Sequence, residues 1–144
     1  MSRKKKEKTV YSVMSVDEPM DGEVFADIVG TYIYESDAIR ACADYIMDRL
    51  EWRPDIRYAL YNDVIHGNDL RRKLFEATSI SRARLKKMFG LTDPTESWDI
   101  PKSVWYAIWD YVSFVLCDMR YDIESEDERY TFKIVSNPLK KKED

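Results

Sequence analysis

The segment Ser103 to Met119, SVWYAIWDYVSFVLCDM, constrains the fold more than any other, because a helix-length run so rich in aromatic side chains must be covered on most of its surface. At about 100° per residue, Val104, Trp105, Ile108, Trp109, Tyr111, Val112, Val115, Leu116 and Met119 fall on one arc of about 160°, wider than the stripe of an ordinary surface helix. That arc is expected to be core, with Trp105 and Trp109 anchoring it. Lys102, Ser103, Asp110, Ser113, Asp118 and Arg120 lie opposite, with Tyr106, Phe114 and Cys117 among them. These three are either covered by another element or available to a partner.

The same run is too short and too charged to cross a bilayer. A span needs about 20 apolar residues without a central charge, and Asp110 and Asp118 lie inside this one. The first eight residues, MSRKKKEK, are basic but lack the apolar stretch of a signal peptide behind them. The expectation is a cytoplasmic protein that does not enter a membrane.

With 144 residues, 44% of them hydrophobic, the chain can bury about two-thirds of its unfolded surface in one core. Four glycines and five prolines argue against disorder and against a repeat array. Cys42 and Cys117 sit in helical patterns without CxxC spacing and read as reduced core thiols. One histidine, His66, gives no basis for a structural zinc site, and neither a metal nor a cofactor is expected.

Charge is segregated along the chain. Residues 1–8 carry five bases and one acid, whereas residues 9–70 carry four bases and thirteen acids. A basic block follows, with Arg71, Arg72, Lys73, Arg82, Arg84, Lys86 and Lys87 against Glu76 alone, before the chain turns acidic again up to its basic end. The body is acidic, and the basic ends read as solvated tails, with contact to a polyanion as the alternative.

Val10 to Val16 has the β-branched and aromatic content of a strand, and Ala26 to Tyr34 that of a second. Gly30, inside the second, predicts a bulge or the close approach of another backbone. A first helix is expected from Ser36 as N-cap to Trp52, with Ile39, Cys42, Ile46 and Leu50 inward, and a second from Pro54 to Gly67. Two shorter helices follow, at Asn68 to Phe75 and Ser81 to Phe89, then the aromatic helix after Pro101. IESEDER reads as a solvated acidic loop, and Tyr130 to Val135 as a third strand.

The expected fold is therefore α+β, in the order β-β-α-α-α-α-α-β, with a small, mostly antiparallel three-stranded sheet packed on a helical cluster. One domain would span residues 10–137, with a basic flexible tail at 1–9 and a charged one at 138–144. The last strand must pair with one of the first two, so the two ends of the chain should lie near each other.

No nucleophile elbow, phosphate loop, dinucleotide-binding glycine pattern or HExxH is present, and the chain reads as non-enzymatic. One local pattern carries a binding logic: Leu70 to Phe89 resembles a helix-turn-helix. Ser79 stands at its turn, Ile80 is the hydrophobe after it, Leu85 and Met88 point inward, and Arg82, Arg84, Lys86 and Lys87 are exposed, with Arg71 and Arg72 on the preceding helix. The segment departs from the pattern where Phe75 replaces the usual alanine and Ser79 the usual glycine. The resemblance implies contacts to DNA by those basic residues, and a helical hairpin with a solvated basic face is the alternative.

The leading functional expectation is a small regulatory or inhibitory protein that binds another macromolecule, of the kind a phage or mobile element encodes, an anti-CRISPR-like inhibitor being one version. Its contact residues would be Tyr106 and Phe114 together with the acids Asp17, Glu18, Asp21, Glu23, Glu124 and Glu126, beside Asp127 and Glu128. A protein is the expected partner, nucleic acid is the alternative, and self-association is compatible with either.

Overall fold

A computed structural model of the chain describes residues 9–66, 100–125 and 127–138. These residues form β1 (Thr9–Pro19), β2 (Phe25–Tyr32), α1 (Glu35–Trp52), α2 (Pro54–His66), α3 (Lys102–Leu116), β3 (Arg120–Glu124) and β4 (Glu128–Pro138). The fold is α+β, as expected, but its details differ from the expectation. The sheet has four strands rather than three, all antiparallel, in the order β2-β1-β4-β3. Three helices are present among the described residues instead of five; the two others expected, at 68–75 and 81–89, lie outside those residues, as do Arg71, Arg72, Arg82, Arg84, Lys86 and Lys87.

The additional strand is β3, which the acidic character of the sequence conceals. Tyr121 and Ile123 point into the core, while Arg120, Asp122 and Glu124 face outward. This period of two, in a segment whose outward positions are all charged, reads by composition as a loop. The aromatic helix also ends earlier than expected, at Leu116. Cys117, Asp118 and Met119 form a turn, and Met119, at φ 67°, takes the left-handed conformation that redirects the chain into β3. Its carbonyl accepts the Ile134 N–H at 2.8 Å, which fixes the turn against β4.

Alternation divides the sheet into two faces. Val13, Ser15, Tyr121, Ile123, Tyr130, Phe132 and Ile134 are buried on the face toward the helices. Helix α1 contributes Ala38, Cys42, Ala43, Ile46, Met47 and Leu50, α2 adds Ile56, Ala59 and Leu60, and α3 adds Val104, Ala107, Ile108, Val112 and Leu116. The buried stripe of α3 is narrower than the sequence arc, since Trp105 and Trp109 are only partly buried at its flank. Trp109 Nε1 donates to Asp44 Oδ1 of α1 at 2.8 Å, so its polar edge is satisfied at the margin of the core.

The opposite face of the sheet carries no helix among the described residues. Here Thr131, only 3% exposed, donates its hydroxyl to Asp122, which also accepts from Arg120 at 2.7 Å. β1 pairs with β4 along its whole length, setting Thr9 opposite Pro138. The two ends of the described chain thus lie side by side, as the strand argument predicts.

Candidate functional site

The two acidic segments singled out in the sequence meet at one end of the sheet. β1 ends in the loop Met20 to Val24, and β3 turns into β4 at the same end, where the Met20 N–H donates to the Asp127 carbonyl at 2.9 Å. Gly22, at φ 152°, takes a backbone conformation that side-chain-bearing residues rarely adopt, and so permits the loop. Asp17, Glu18, Asp21 and Glu23 therefore share a neighbourhood with Glu124, Asp127 and Glu128, although about a hundred residues separate the two groups. Glu126 lies outside the described residues.

These acids are not equivalent. Glu18 and Glu124 flank Arg129 on the open face, Glu18 by strand register and Glu124 by an ion pair of 2.6 Å. This cross-strand ladder partly neutralises both. Asp17 instead faces the helices and is half-buried, and burial pushes its carboxyl above the usual value, against the opposing pull of Arg53 and Arg49. Asp21 and Glu23 are exposed in the loop.

Asp17 adjoins a polar cluster where α1 passes into α2. Arg53, between the helices, grips Asp55 with two hydrogen bonds of 2.7 and 3.0 Å, and the Tyr130 hydroxyl of β4 donates to the same carboxylate at 2.6 Å. Burial alone would raise the Asp55 carboxyl, but the bonds from Arg53 and Tyr130 outweigh it and hold the group below its usual range. Burial and the neighbouring carboxylates of Asp55 and Glu128 push the Tyr130 hydroxyl up. Asp55 stays anionic, Arg53 cationic and Tyr130 protonated across the neutral range. The cluster therefore fastens the helix junction to the sheet and supplies no group poised for proton transfer. A second tie, from the Tyr121 hydroxyl to Asp63 at 2.6 Å, joins β3 to α2.

Tyr106 and Phe114 lie exposed on α3, at 58% and 64%, and the ring of Tyr106 rests edge-on against Trp105 at 5.2 Å. Neither the sheet nor another described helix buries them. Cys117 is exposed, whereas Cys42 is buried in the core, where desolvation pushes its thiol up to about 12.

Most of the exposed large apolar side chains among the described residues lie elsewhere, around β2. Of the nine large apolar side chains exposed among the described residues, six fall between 20 and 34: Met20, Val24, Phe25, Ile28, Ile33 and Tyr34. They lie on β2 and the segments leading into and out of it, and β2 is an edge strand with no neighbour beyond it among the described residues. The bulge explains part of this exposure. Val13 pairs with Gly30 and Met14 with Ile28, so Val29 is the extra residue, and the side-chain alternation of β2 reverses there. Ile28 is thereby sent to the open face, while Gly30 accommodates the ring of Tyr32, whose hydroxyl would lie 2.8 Å from any Cβ at that position. The bulge expected at Gly30 is present beside it, and what approaches it is the Tyr32 side chain rather than another backbone. The signal available in the sequence is the apolar run of β2 interrupted by one glycine.

Among the described residues, no helix is long and apolar enough to cross a membrane, and no group of three or more histidine, cysteine or acidic side chains could hold a metal ion. Comparison of the chain with protein-family models, with curated proteins and with solved structures finds no match.

Proposed function

We propose that this chain is a small regulatory or inhibitory protein that acts by binding another protein, without catalysis. The observation that carries this reading is the gathering of exposed apolar side chains on one edge of the sheet, where Phe25 is 63% exposed and Ile28 69%. Single exposed apolar residues are ordinary on a protein surface, whereas six of them gathered along one strand edge and bordered by charge mark a contact surface. The acidic end of the sheet supplies that border, through Asp21 and Glu23 in the loop and the Glu18–Arg129–Glu124 ladder beside it. Charge of this kind steers encounter and sets partner choice more than it adds affinity.

The test is affinity capture with the full chain as bait, compared with a Phe25→Ser/Ile28→Thr variant and a Tyr106→Ala variant. A protein retained by the wild-type chain and by Tyr106→Ala but lost with Phe25→Ser/Ile28→Thr supports the reading. Recovery of the same proteins by all three baits, or of none by any, counts against it.

A further inference from the structure

Edge strands leave roughly every second residue's N–H and C=O groups pointing away from the sheet, and proteins commonly blunt such edges with lysine, proline or a covering element. β2, FADIVGTY, has neither lysine nor proline, and its one charged residue is Asp27. Before the bulge, Phe25 to Ile28 pair in regular register with Asp17 to Met14 of β1, so this stretch keeps the straight geometry that another strand can extend. Among the described residues, the stretch before the bulge thus presents an edge free of lysine and proline, with large apolar side chains on both of its faces, Ile28 toward the open side and Phe25 toward the helices.

Charge selects the occupant. From Pro19 to Ile39 the chain carries five acids, Asp21, Glu23, Asp27, Glu35 and Asp37, and no lysine or arginine, and all five are exposed. They stand at the start, the middle and the far end of β2. A second copy paired edge to edge would set this acidic stretch against an identical one, and like charges facing each other across strands are destabilising. An extended segment that alternates apolar with basic side chains satisfies the backbone groups and sets its apolar side chains beside Ile28 on the open side and its basic ones beside Asp27 on the other.

Resting on the protein-binding reading above, we infer that β2 takes up an extended, lysine- or arginine-rich apolar segment of a partner protein as a fifth strand of the sheet. The backbone of Phe25 to Ile28 supplies the hydrogen bonds, Ile28 receives the apolar side chains on the open side, and Asp27, on the helix-facing side with Phe25, reads the basic ones together with Glu23 and Asp21. Affinity comes from the main chain and selectivity from the side chains.

The test is titration of the isotope-labelled full chain with a nine-residue peptide alternating lysine and valine, followed through backbone amide resonances. The expected result is a set of shifts confined to Phe25 to Tyr32 and the adjoining loop. Binding should weaken by at least about tenfold when the peptide is N-methylated on alternate residues, which preserves charge and side chains but removes main-chain donors. It should weaken by about as much for a Glu23→Lys/Asp27→Lys variant, whose substituted positions are exposed, and a peptide alternating glutamate and valine should not bind. Absence of shifts, shifts centred on another surface, or indifference to N-methylation each overturns the proposal. So does a sedimentation result in which the unliganded chain dimerises and Phe25→Ser/Ile28→Thr restores the monomer, since a second copy then fills the edge. If strand addition fails but the captured protein is still lost with Phe25→Ser/Ile28→Thr, the protein-binding reading stands without it.

Discussion

Replacing Asp55 by asparagine would leave Arg53 without its carboxylate and Tyr130 without its anionic acceptor, at the point where two helices join the sheet. Because Arg53 and Asp55 are partly solvated, the expected loss is about 1 kcal/mol rather than that of a fully buried pair. Tyr130→Phe should cost about the same, and the double variant little more than either, since both remove one shared bond; chemical denaturation of the three variants measures this. The acid response follows from the same groups. Asp55 and Asp122 are held below their unfolded values, so their contribution is fully present above about pH 4 and drains away as pH falls through the folded values. Asp17 is raised and has the opposite sign: its charged form is disfavoured in the fold, and protonation relieves that cost as pH falls. Asp17→Asn should therefore raise stability at neutral pH, whereas Asp55→Asn should lower it and flatten the acid limb of the stability profile. None of these pairings was legible in the chain, because Asp17, Asp55 and Tyr130 meet only through β1, β4 and the helix junction.

At the scale of elements, strong periodicity was readable and charge concealed the rest. The strands β1 and β4 and the helices α1, α2 and α3 stand where alternation, helical spacing, Pro54 and Pro101 place them. Ser36 was expected to cap α1, but the helix begins two residues earlier, at Glu35 after Tyr34 as N-cap, without a side-chain cap hydrogen bond. β3 was missed because Asp122 and Glu124 occupy its outward positions, where strand pairing lets Thr131 and Arg129 hold them. The assignment has a direct consequence for stability. Ile123 is 2% exposed, and Ile123→Ala should cost about 2–4 kcal/mol, whereas Ile28→Ala, on the exposed edge, should stay within about 0.5 kcal/mol. Thermal or urea unfolding of the two variants distinguishes a packed β3 from the solvated loop that composition suggests.

At the scale of the molecule, the described helices cover one face of the sheet, and among the described residues the β2 edge, the acidic end and the opposite face carry no helix. The convergence of chain ends was foreseeable, because a final strand must pair with an earlier one, and the Thr9–Pro138 register realises it. The exposed apolar edge was not, because whether Phe25 and Ile28 are core or surface depends on which strand is outermost and on a bulge that reverses the alternation of β2 after Ile28. Tyr106 and Phe114, foremost in the sequence, lie on α3, which packs on α1 and β3, and form a separate surface from β2. Hydrogen–deuterium exchange of the chain, alone and bound to a captured protein, separates the two surfaces most directly. The β2 account predicts slowed exchange from Val24 to Tyr32 with α3 unchanged. Protection confined to Lys102–Leu116, with β2 exchanging as in the free chain, would contradict it.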